Sequence, residues 1–308
     1  MPTTAQKTWD VITVGDVFVD IVMSGFAVLP KLGEEVECEQ LQYEAGGGAA
    51  ITACGLAKLG CKTAMLAVVG NEDSDWFRHR LMNCGVDVSH LRLHESEPTA
   101  TTVSVSTNKD RAFFTYRGAN KRLPALLADP SFRQTMQQAR HVHLASAIAP
   151  EALLELATEL HAAGTTLSVD VGWSKVWLQD KRSLHALKAV DLFLPNEREA
   201  ELMTGEVKPE MMLQAFTDAG LRTVALKLGA GGSALLHEEN FYFAAPHNVA
   251  ALDTTGAGDC FDAGFLFAWL NGKDPAECLR VANLCGALST RALGGIASFP
   301  NSNEIGRI

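Results

Sequence analysis

Short apolar runs alternate with helical stretches along most of this chain, and that alternation restricts the fold more than any other feature. Residues 10–14, 63–69, 141–144, 166–169, 192–194 and 223–227 read as short buried strands. Between them lie helical segments at 49–59 (closed by Gly60), 74–84 (stopped by Gly85), 150–163, 182–189, 198–204 and 209–219. Strands that are apolar on both sides and separated by helices imply a mostly parallel sheet covered on both faces. Ligands of such sheets bind beyond the carboxyl ends of the strands, where Gly15-Asp16, Gly70 and Asp170-Val171-Gly172 fall. A chain of 308 residues is long enough to bury such a core.

Two stretches break the pattern. Residues 35–43 and 99–116 alternate with period two, and Asn108-Lys109-Asp110 marks a hairpin turn within the second. They are expected to form a small antiparallel sheet that stands off the main body as a lid over the active site. No repeat or low-complexity tract divides the chain, so one unit with an inserted lid is the simplest organisation. The net charge of −10 without any basic run argues against a nucleic-acid partner. No apolar run reaches membrane-spanning length, and residues 1–10 lack a signal-type apolar core. The seven cysteines show no C-x-x-C pair and sit mostly in apolar surroundings, which suits reduced thiols in a cytoplasmic protein.

The segment from Asp253 to Asp262 (DTTGAGDCFD) carries the strongest chemical signal. Gly256-Ala257-Gly258 is a small-residue turn ahead of an apolar helical run (Phe261, Phe265, Leu266, Trp269, Leu270), so its N–H groups sit at a positive helix end. Asp259 falls in the first turn, where it is either an ordinary helix-start carboxylate or a general base facing an anion site. Asn196-Glu197-Arg198-Glu199 follows a strand and suits either a capping box or a water-mediated Mg²⁺ site. Asp16 and Asp20 flank the end of the first strand and suit sugar hydroxyls or turn chemistry. Gly46-Gly47-Gly48 is a side-chain-poor helix entry, open to a polyol or to close packing.

Three further patterns are decoys. Gly229-Ala230-Gly231-Gly232-Ser233-Ala234 fits G-x-G-x-x-A, but the apolar residues that follow continue as a strand, whereas a dinucleotide fingerprint opens a helix. The segment from Gly55 to Thr63 approximates a P-loop with the wrong spacing and the wrong order of helix and strand. His141-x-His143 places two imidazoles on one face of a strand without the carboxylate or cysteine company of a metal site.

Taken together, these segments resemble the PfkB (ribokinase-like) carbohydrate kinase family, over about residues 11–300. Residues 253–265 are similar to the family's more specific signature, and Gly46 to Gly60 resembles its amino-terminal one. Pro195 to Gly205 resembles the N-x-x-E magnesium segment, and Lys227 to Gly232 the nucleotide-side turn. The resemblance implies ATP-dependent phosphorylation of a sugar-like alcohol, sugar or nucleoside. It implies a three-layer α/β/α core over residues 1–308, with a mostly parallel sheet and a β-sheet lid from about residues 17–46 and 97–120. By the same carry-over Asp259 is the base, and Gly256, Ala257 and Gly258 supply the anion hole. Asp16, Asp20, Gly46, Gly47, Ile51, Asp170 and Lys175 would meet the substrate. Asn196, Lys227, Gly229, Gly231, Gly256, Gly258 and Asn283 would meet the nucleotide. Glu199 with Asn196 would organise Mg²⁺, and Asp253 and Thr255, near Gly295 and Ser298, the monovalent cation (K⁺) that some members bind. A homodimer through the lid is implied as well.

The sequence departs from the family pattern at two places. Ile51 stands where an Asn usually meets the sugar, and Asp170-Val171-Gly172-Trp173-Ser174-Lys175 replaces the usual D-x-N-x-R, with Lys175 as a substitute cation. The loss at Ile51 motivates an alternative, a catalytically impaired sugar or nucleotide sensor on the same fold. A nicotinamide-dependent oxidoreductase using Gly229 to Ala234 is a second alternative.

Overall fold

Alternate residues along each central strand enter opposite hydrophobic cores, which is what a sheet covered on both faces requires. Ile12, Val14, Val142, Leu144, Leu167 and Val169 join one core, shared with Leu153, Leu156 and Phe216 from covering helices. Val11, Leu192, Leu194 and Ala225 join the other, beneath Phe261, Phe265 and Leu279. The structure, a computed structural model, describes residues 7–107 and 111–306. The turn expected at Asn108-Lys109-Asp110 lies outside the described residues.

The main sheet has eight strands in the spatial order Asn240–Ala244, Ser233–His237, Thr223–Lys227, Leu192–Phe193, Thr166–Val169, Ala139–Ala145, Trp9–Gly15 and Thr63–Leu66. All neighbours pair in parallel except the last chain hairpin, where Thr223–Lys227, Ser233–His237 and Asn240–Ala244 run antiparallel. The helix Ala257–Leu270 lies against one face and packs closely on Pro275–Ser289. Gly264 permits that approach: a Cβ there would stand 2.8 Å from the Cys285 Sγ.

A separate four-stranded sheet has the order Gln40–Gly46, Phe18–Phe26, Thr101–Thr107, Arg111–Tyr116. It leaves the main body immediately after the first strand, through Asp16-Val17. Its registers stack Tyr43, Ile21, Val103 and Phe114 in one row and Leu41, Met23 and Val105 in the next, on one face. The other face carries Asp20, Glu44, Thr102 and Thr115.

Four expectations differ from the structure. The smaller sheet is mixed rather than antiparallel, because Phe18–Phe26 and Thr101–Thr107, far apart in the chain, pair in parallel at its centre. Of the alternating residues 35–43 only those from Gln40 onward are strand, within Gln40–Gly46, because pairing with Phe18–Phe26 begins there. The run expected as one strand over 63–69 is two, Thr63–Leu66 and Val68–Gly70. At Ala67 the carbonyl accepts from Arg92 N–H at 2.9 Å, and the second piece turns to pair with Arg92–His94. The helix expected over 182–189 is Lys181–Ala186 followed by a 3₁₀ turn, Leu187–Ala189.

Candidate active site

Asp253 fixes the turn that starts the helix Ala257–Leu270. Its Oδ1 accepts from Thr255 N–H at 2.9 Å and Thr255 Oγ1 at 2.7 Å, and its Oδ2 accepts from Gly294 N–H at 2.9 Å. Gly256 then caps the helix at φ 72°, a left-handed conformation that favours glycine. Space demands glycine too, since a Cβ would lie 2.8 Å from Ile51 Cδ1 and 2.9 Å from Gly295 Cα. Ala257 N–H donates to Thr254 O at 3.2 Å, which leaves Gly258 as the small-residue donor bordering the cavities. Asp259 follows in the first turn. Gly48, at the start of the helix Gly48–Lys58, makes room for it: a Cβ on Gly48 would come within 2.8 Å of Asp259 Oδ1.

Two cavities meet at this point. The larger, about 690 Å³, is bordered by Asp16, Gly48, Arg117, Trp173, Glu199 and Asp259 among others. The smaller, about 350 Å³, is bordered by Val249, Ala257, Phe261, Asn283 and Ala287, an apolar slot with few polar groups. Lys227, Gly229 and Gly258 border both. Gly258 N–H and the positive helix end therefore sit at the junction, where an anion shared by the two compartments would lie.

The carboxyl groups here are strongly perturbed. Burial, then the Asp170 charge, pushes the Asp259 carboxyl up to about 7, with Lys227 opposing. Glu199 is also pushed up to about 7, by burial first and the Asp170 charge second. It is 2% exposed and forms a capping box with Asn196. Asn196 N–H donates to Glu199 Oε2 at 2.9 Å, and Glu199 N–H donates to Asn196 Oδ1 at 2.9 Å. The capping box thus uses one Glu199 oxygen while the side chain still borders the cleft.

Behind Asp259 lies a buried charge cluster. Lys227 Nζ donates to Asp170 Oδ2 at 2.6 Å and to Asp262 Oδ1 and Oδ2 at 3.0 and 3.2 Å. Burial alone would raise Asp170, but Lys227, Asp262 and Gly172 N–H hold it down. Burial drives Asp262 well up, Lys227 opposing and Asp170 adding. Lys227 thus favours the charged form of Asp170, while burial favours the neutral form of Asp262, as a dry interior demands. One ligand oxygen each from Asp170, Asp259 and Asp262 lie within 4.8 Å of one another, the spacing of a metal site, but the Lys227 ammonium already serves as the cation for two of them.

Several expected site residues stand elsewhere than anticipated. Ile51 does not face the cleft: 4% exposed, it packs in the core against Gly256 and Gly295. Gly46 and Gly47 approach protein, not an open cavity. A Cβ on Gly46 would collide with the Asp20 carboxyl of the neighbouring strand and one on Gly47 with the Asp16 carbonyl, so both glycines serve close packing of the chain against itself. Asp20 lies beneath Gly46, outside the residues that border the cleft, and burial with the charges of Asp259, Glu44 and Asp253 pushes it up to about 7. Lys175 is exposed on the short helix Lys175–Leu178 and does not border the cleft, because the preceding turn at Gly172 presents Trp173 and Ser174 there. Gly256 is enclosed by Ile51 and Gly295, and Gly232 rather than Gly231 borders the smaller cavity. Lys227 is held by carboxylates rather than offered freely to a nucleotide. Asp16, Asp170, Asn196, Glu199, Gly229, Gly258 and Asp259 do border the larger cavity, and Asn283 the smaller.

Two residues escaped the sequence reading as site residues: Arg117, which reaches Asp16, and Asp262, which holds Lys227. Of these only Asp262 had a local signal, a second acid within the same motif. The decoys resolve simply. Gly229–Gly231 is a 3₁₀ turn that leads into the strand Ser233–His237, so no helix follows the glycines. His141 and His143 both bond the Ser168 hydroxyl, at 2.7 and 2.8 Å, in the sheet interior.

A sequence model of the pfkB family carbohydrate kinases matches residues 10–302. The chain is 32% identical over 280 residues, 90% of each protein, to an ATP-dependent ribose-1-phosphate kinase of Halopiger xanaduensis. It is 30% identical over 303 residues to a ribokinase of Arabidopsis thaliana, covering 94% of this chain and 77% of the relative. The solved structure of Arabidopsis thaliana ribokinase with ribose and ATP superposes with a TM-score of 0.85 at 28% identity, covering 97% and 98% of the two chains.

Proposed function

The chain belongs to the pfkB family of carbohydrate kinases, and from that premise we propose that Asp259 is the base that deprotonates a sugar-like hydroxyl as it attacks the γ-phosphorus of ATP. The observation that carries this reading is the position of Asp259, beside Gly258 at the junction of the two cavities. ATP occupies the smaller cavity, with its base along Val249 and Asn283 and its γ-phosphate at Gly258. The acceptor occupies the larger. As the new O–P bond forms and the bond to the β,γ-bridging oxygen breaks, Asp259 takes the hydroxyl proton and ADP departs. The Gly258 N–H and the helix dipole stabilise the charge on the transferring group.

Glu199 and Asn196 would hold Mg²⁺ through water. The hard oxygen donors and the Glu199 carboxyl bordering the cleft fit that ion, which when bound offsets phosphate charge. Asp253 and Thr255, with backbone near Gly295 and Ser298, would hold K⁺; the bond from Gly294 N–H to Asp253 Oδ2 at 2.9 Å, which ties the two segments together, supports a cation there. The four-stranded sheet acts as the lid, and its apolar face (Ile21, Met23, Leu41, Tyr43, Val103, Phe114) is where two copies would meet. Leu41, Tyr43 and Phe114 are 52%, 49% and 65% exposed on the isolated chain, an unusual cost for a monomer. Light scattering is expected to give about twice 33.1 kDa, and a monomeric mass would remove the dimer. No helix among the described residues is long and apolar enough to cross a membrane, and we place the enzyme in the cytoplasm, where ATP is supplied. The sensor alternative was motivated by Ile51; with Ile51 in the core, no cleft contact is lost there and that motive lapses.

ADP release measured across sugars, sugar phosphates and nucleosides tests the proposal; no acceptor-dependent release would overturn it. The pH profile gives a second check. A carboxyl raised to about 7 is protonated, and useless as a base, below that value. The limb of kcat/KM should therefore climb about tenfold per pH unit up to near neutrality and then level off. A flat profile from about pH 5 to about pH 8 would count against Asp259 as base.

A further inference from the structure

We propose that Cys84 and Cys54 form a peroxide-sensitive thiol pair, in which Cys84 takes the oxidant and Cys54 closes a disulfide on it. Cys54 lies midway along the helix Gly48–Lys58, and Cys84 caps the end of Ser74–Asn83. The chain at 84–85 rests on the first of these helices: a Cβ on Gly85 would stand 3.8 Å from the Ala57 Cβ, one turn beyond Cys54. Cys54 is buried and Cys84 half-buried, and both pack in one small core with Ala53, Leu81 and Val86. The Cys54 thiol donates a hydrogen bond to the Cys84 sulfur, so the two sulfurs already face each other in the reduced protein.

The surroundings divide the roles. Lys58 stands four residues after Cys54 and Arg80 four before Cys84, so each cation shares a helix face with its cysteine. The bond from Cys54, and then these two charges, hold the Cys84 thiol down to about 7 against burial. Near neutral pH much of it is therefore thiolate, the form that attacks. Cys54 is pushed the other way, because it gives that hydrogen bond and lies away from water. Burial likewise pushes the Cys61, Cys278 and Cys285 thiols up, to about 11 or 12. A lowered, accessible thiol beside a protonated partner is the arrangement of a redox-responsive pair.

The oxidant is hydrogen peroxide. The Cys84 thiolate attacks one peroxide oxygen, the O–O bond breaks, and hydroxide leaves with the electron pair of that bond. Cys54 sulfur then attacks the Cys84 sulfenic acid. The S–S bond forms as the S–O bond breaks, and the Cys54 proton leaves with the oxygen as water. Two thiols are oxidised, and the peroxide, with the proton Cys84 had released, is reduced to two waters. The bridge acts on the active site through the helix it seizes. Gly48 of that helix faces Asp259, and Ile51 fills the space over Gly256 and Gly295. Lys58 Nζ donates to the Ile296 carbonyl at 2.6 Å, beside the same loop. Bonded sulfurs stand about 2 Å apart, closer than hydrogen-bonded ones, so the helix and these contacts must shift. The effect on turnover rests on the kinase reading above; the bridge itself does not.

Treatment with hydrogen peroxide, then alkylation and peptide mass mapping, tests the pair. The parent should lose two of its seven thiols and yield a linked Cys54–Cys84 peptide that dithiothreitol removes. At about pH 7 iodoacetamide should modify Cys84 about tenfold faster than Cys61, or more. Cys54→Ala should halt the reaction at a Cys84 sulfenic acid captured by dimedone, and Cys84→Ser should abolish both products. Acceptor-dependent ADP release should fall on the order of 10- to 100-fold in the bridged parent, the scale of a misplacement of about 1 Å. It should return with dithiothreitol and withstand peroxide in Cys84→Ser. No linked peptide, a Cys84 no faster than Cys61, or a bridge that leaves ADP release unaltered overturns the proposal. If no acceptor is turned over at all, the kinase reading fails separately, and the linked peptide still decides this one.

Discussion

Asp259→Asn is expected to lower kcat by ~10²–10⁴-fold, the range over which a positioned general base contributes. The amide is nearly isosteric with the carboxylate and fits against Gly48, so geometry is kept and only the capacity to take a proton is lost. ATP affinity should hardly change, because the smaller cavity does not include Asp259 among its bordering residues. Stability should not fall, and at alkaline pH it should rise slightly. A carboxyl raised in the folded state loses stability as pH climbs from its unfolded value through about 7, and the amide is spared that loss. Single-turnover rates with calorimetric ATP titration check both parts. Near-normal turnover by this variant would remove Asp259 from the reaction.

Lys227→Met should be the most damaging change to the fold. It deletes the cation from a cluster in which Asp262 is fully buried and Asp170 and Lys227 are 8% and 9% exposed. Breaking a buried pair by removing one partner costs about 3–5 kcal/mol, so Tm should fall on the order of 10 °C. The deficit has a pH signature. With Lys227 present, Asp170 is held below its ordinary value and stabilises the fold above it. With Met there, burial raises Asp170 instead, and stability is lost as pH rises. Unfolding followed at about pH 5 and about pH 8 should show the larger deficit at the higher pH, and Asp262→Leu should restore part of it. An equal deficit at both pH values would mean that lost packing, not an uncompensated charge, explains the damage.

The comparison of sequence with structure divides by range. The helix start at Asp259, the Asn196–Glu199 cap and the parallel strands are written in local patterns, and each stands close to where those patterns put it. The relations that complete the site are not local. Arg117 meets Asp16 across 101 residues and Lys227 meets Asp262 across 35, and no spacing rule couples such pairs. Ile51 misled for a related reason. Its place in the motif suggested a sugar contact, whereas which face of the helix looks into the cleft is set by Gly256 and Gly295 packing from another part of the chain. The strand Phe18–Phe26 shows no alternation because nearly all its residues are half-buried, between two partial environments rather than one wet and one dry. The run 64–70 carries no polar side chain, so nothing in it announces the change of partner at Ala67.

The packing of Ile51 also ties the helix Gly48–Lys58 to the turn at Gly256. An asparagine at position 51 would bury an amide against Gly256 and Gly295 within the core, at about 1–3 kcal/mol. Glycine at 256 and 295, in turn, is fixed by the isoleucine that fills the space above them. Each residue makes the others hard to change one at a time. The three positions therefore behave as one steric unit, in which a substitution at any member is felt first by the other two.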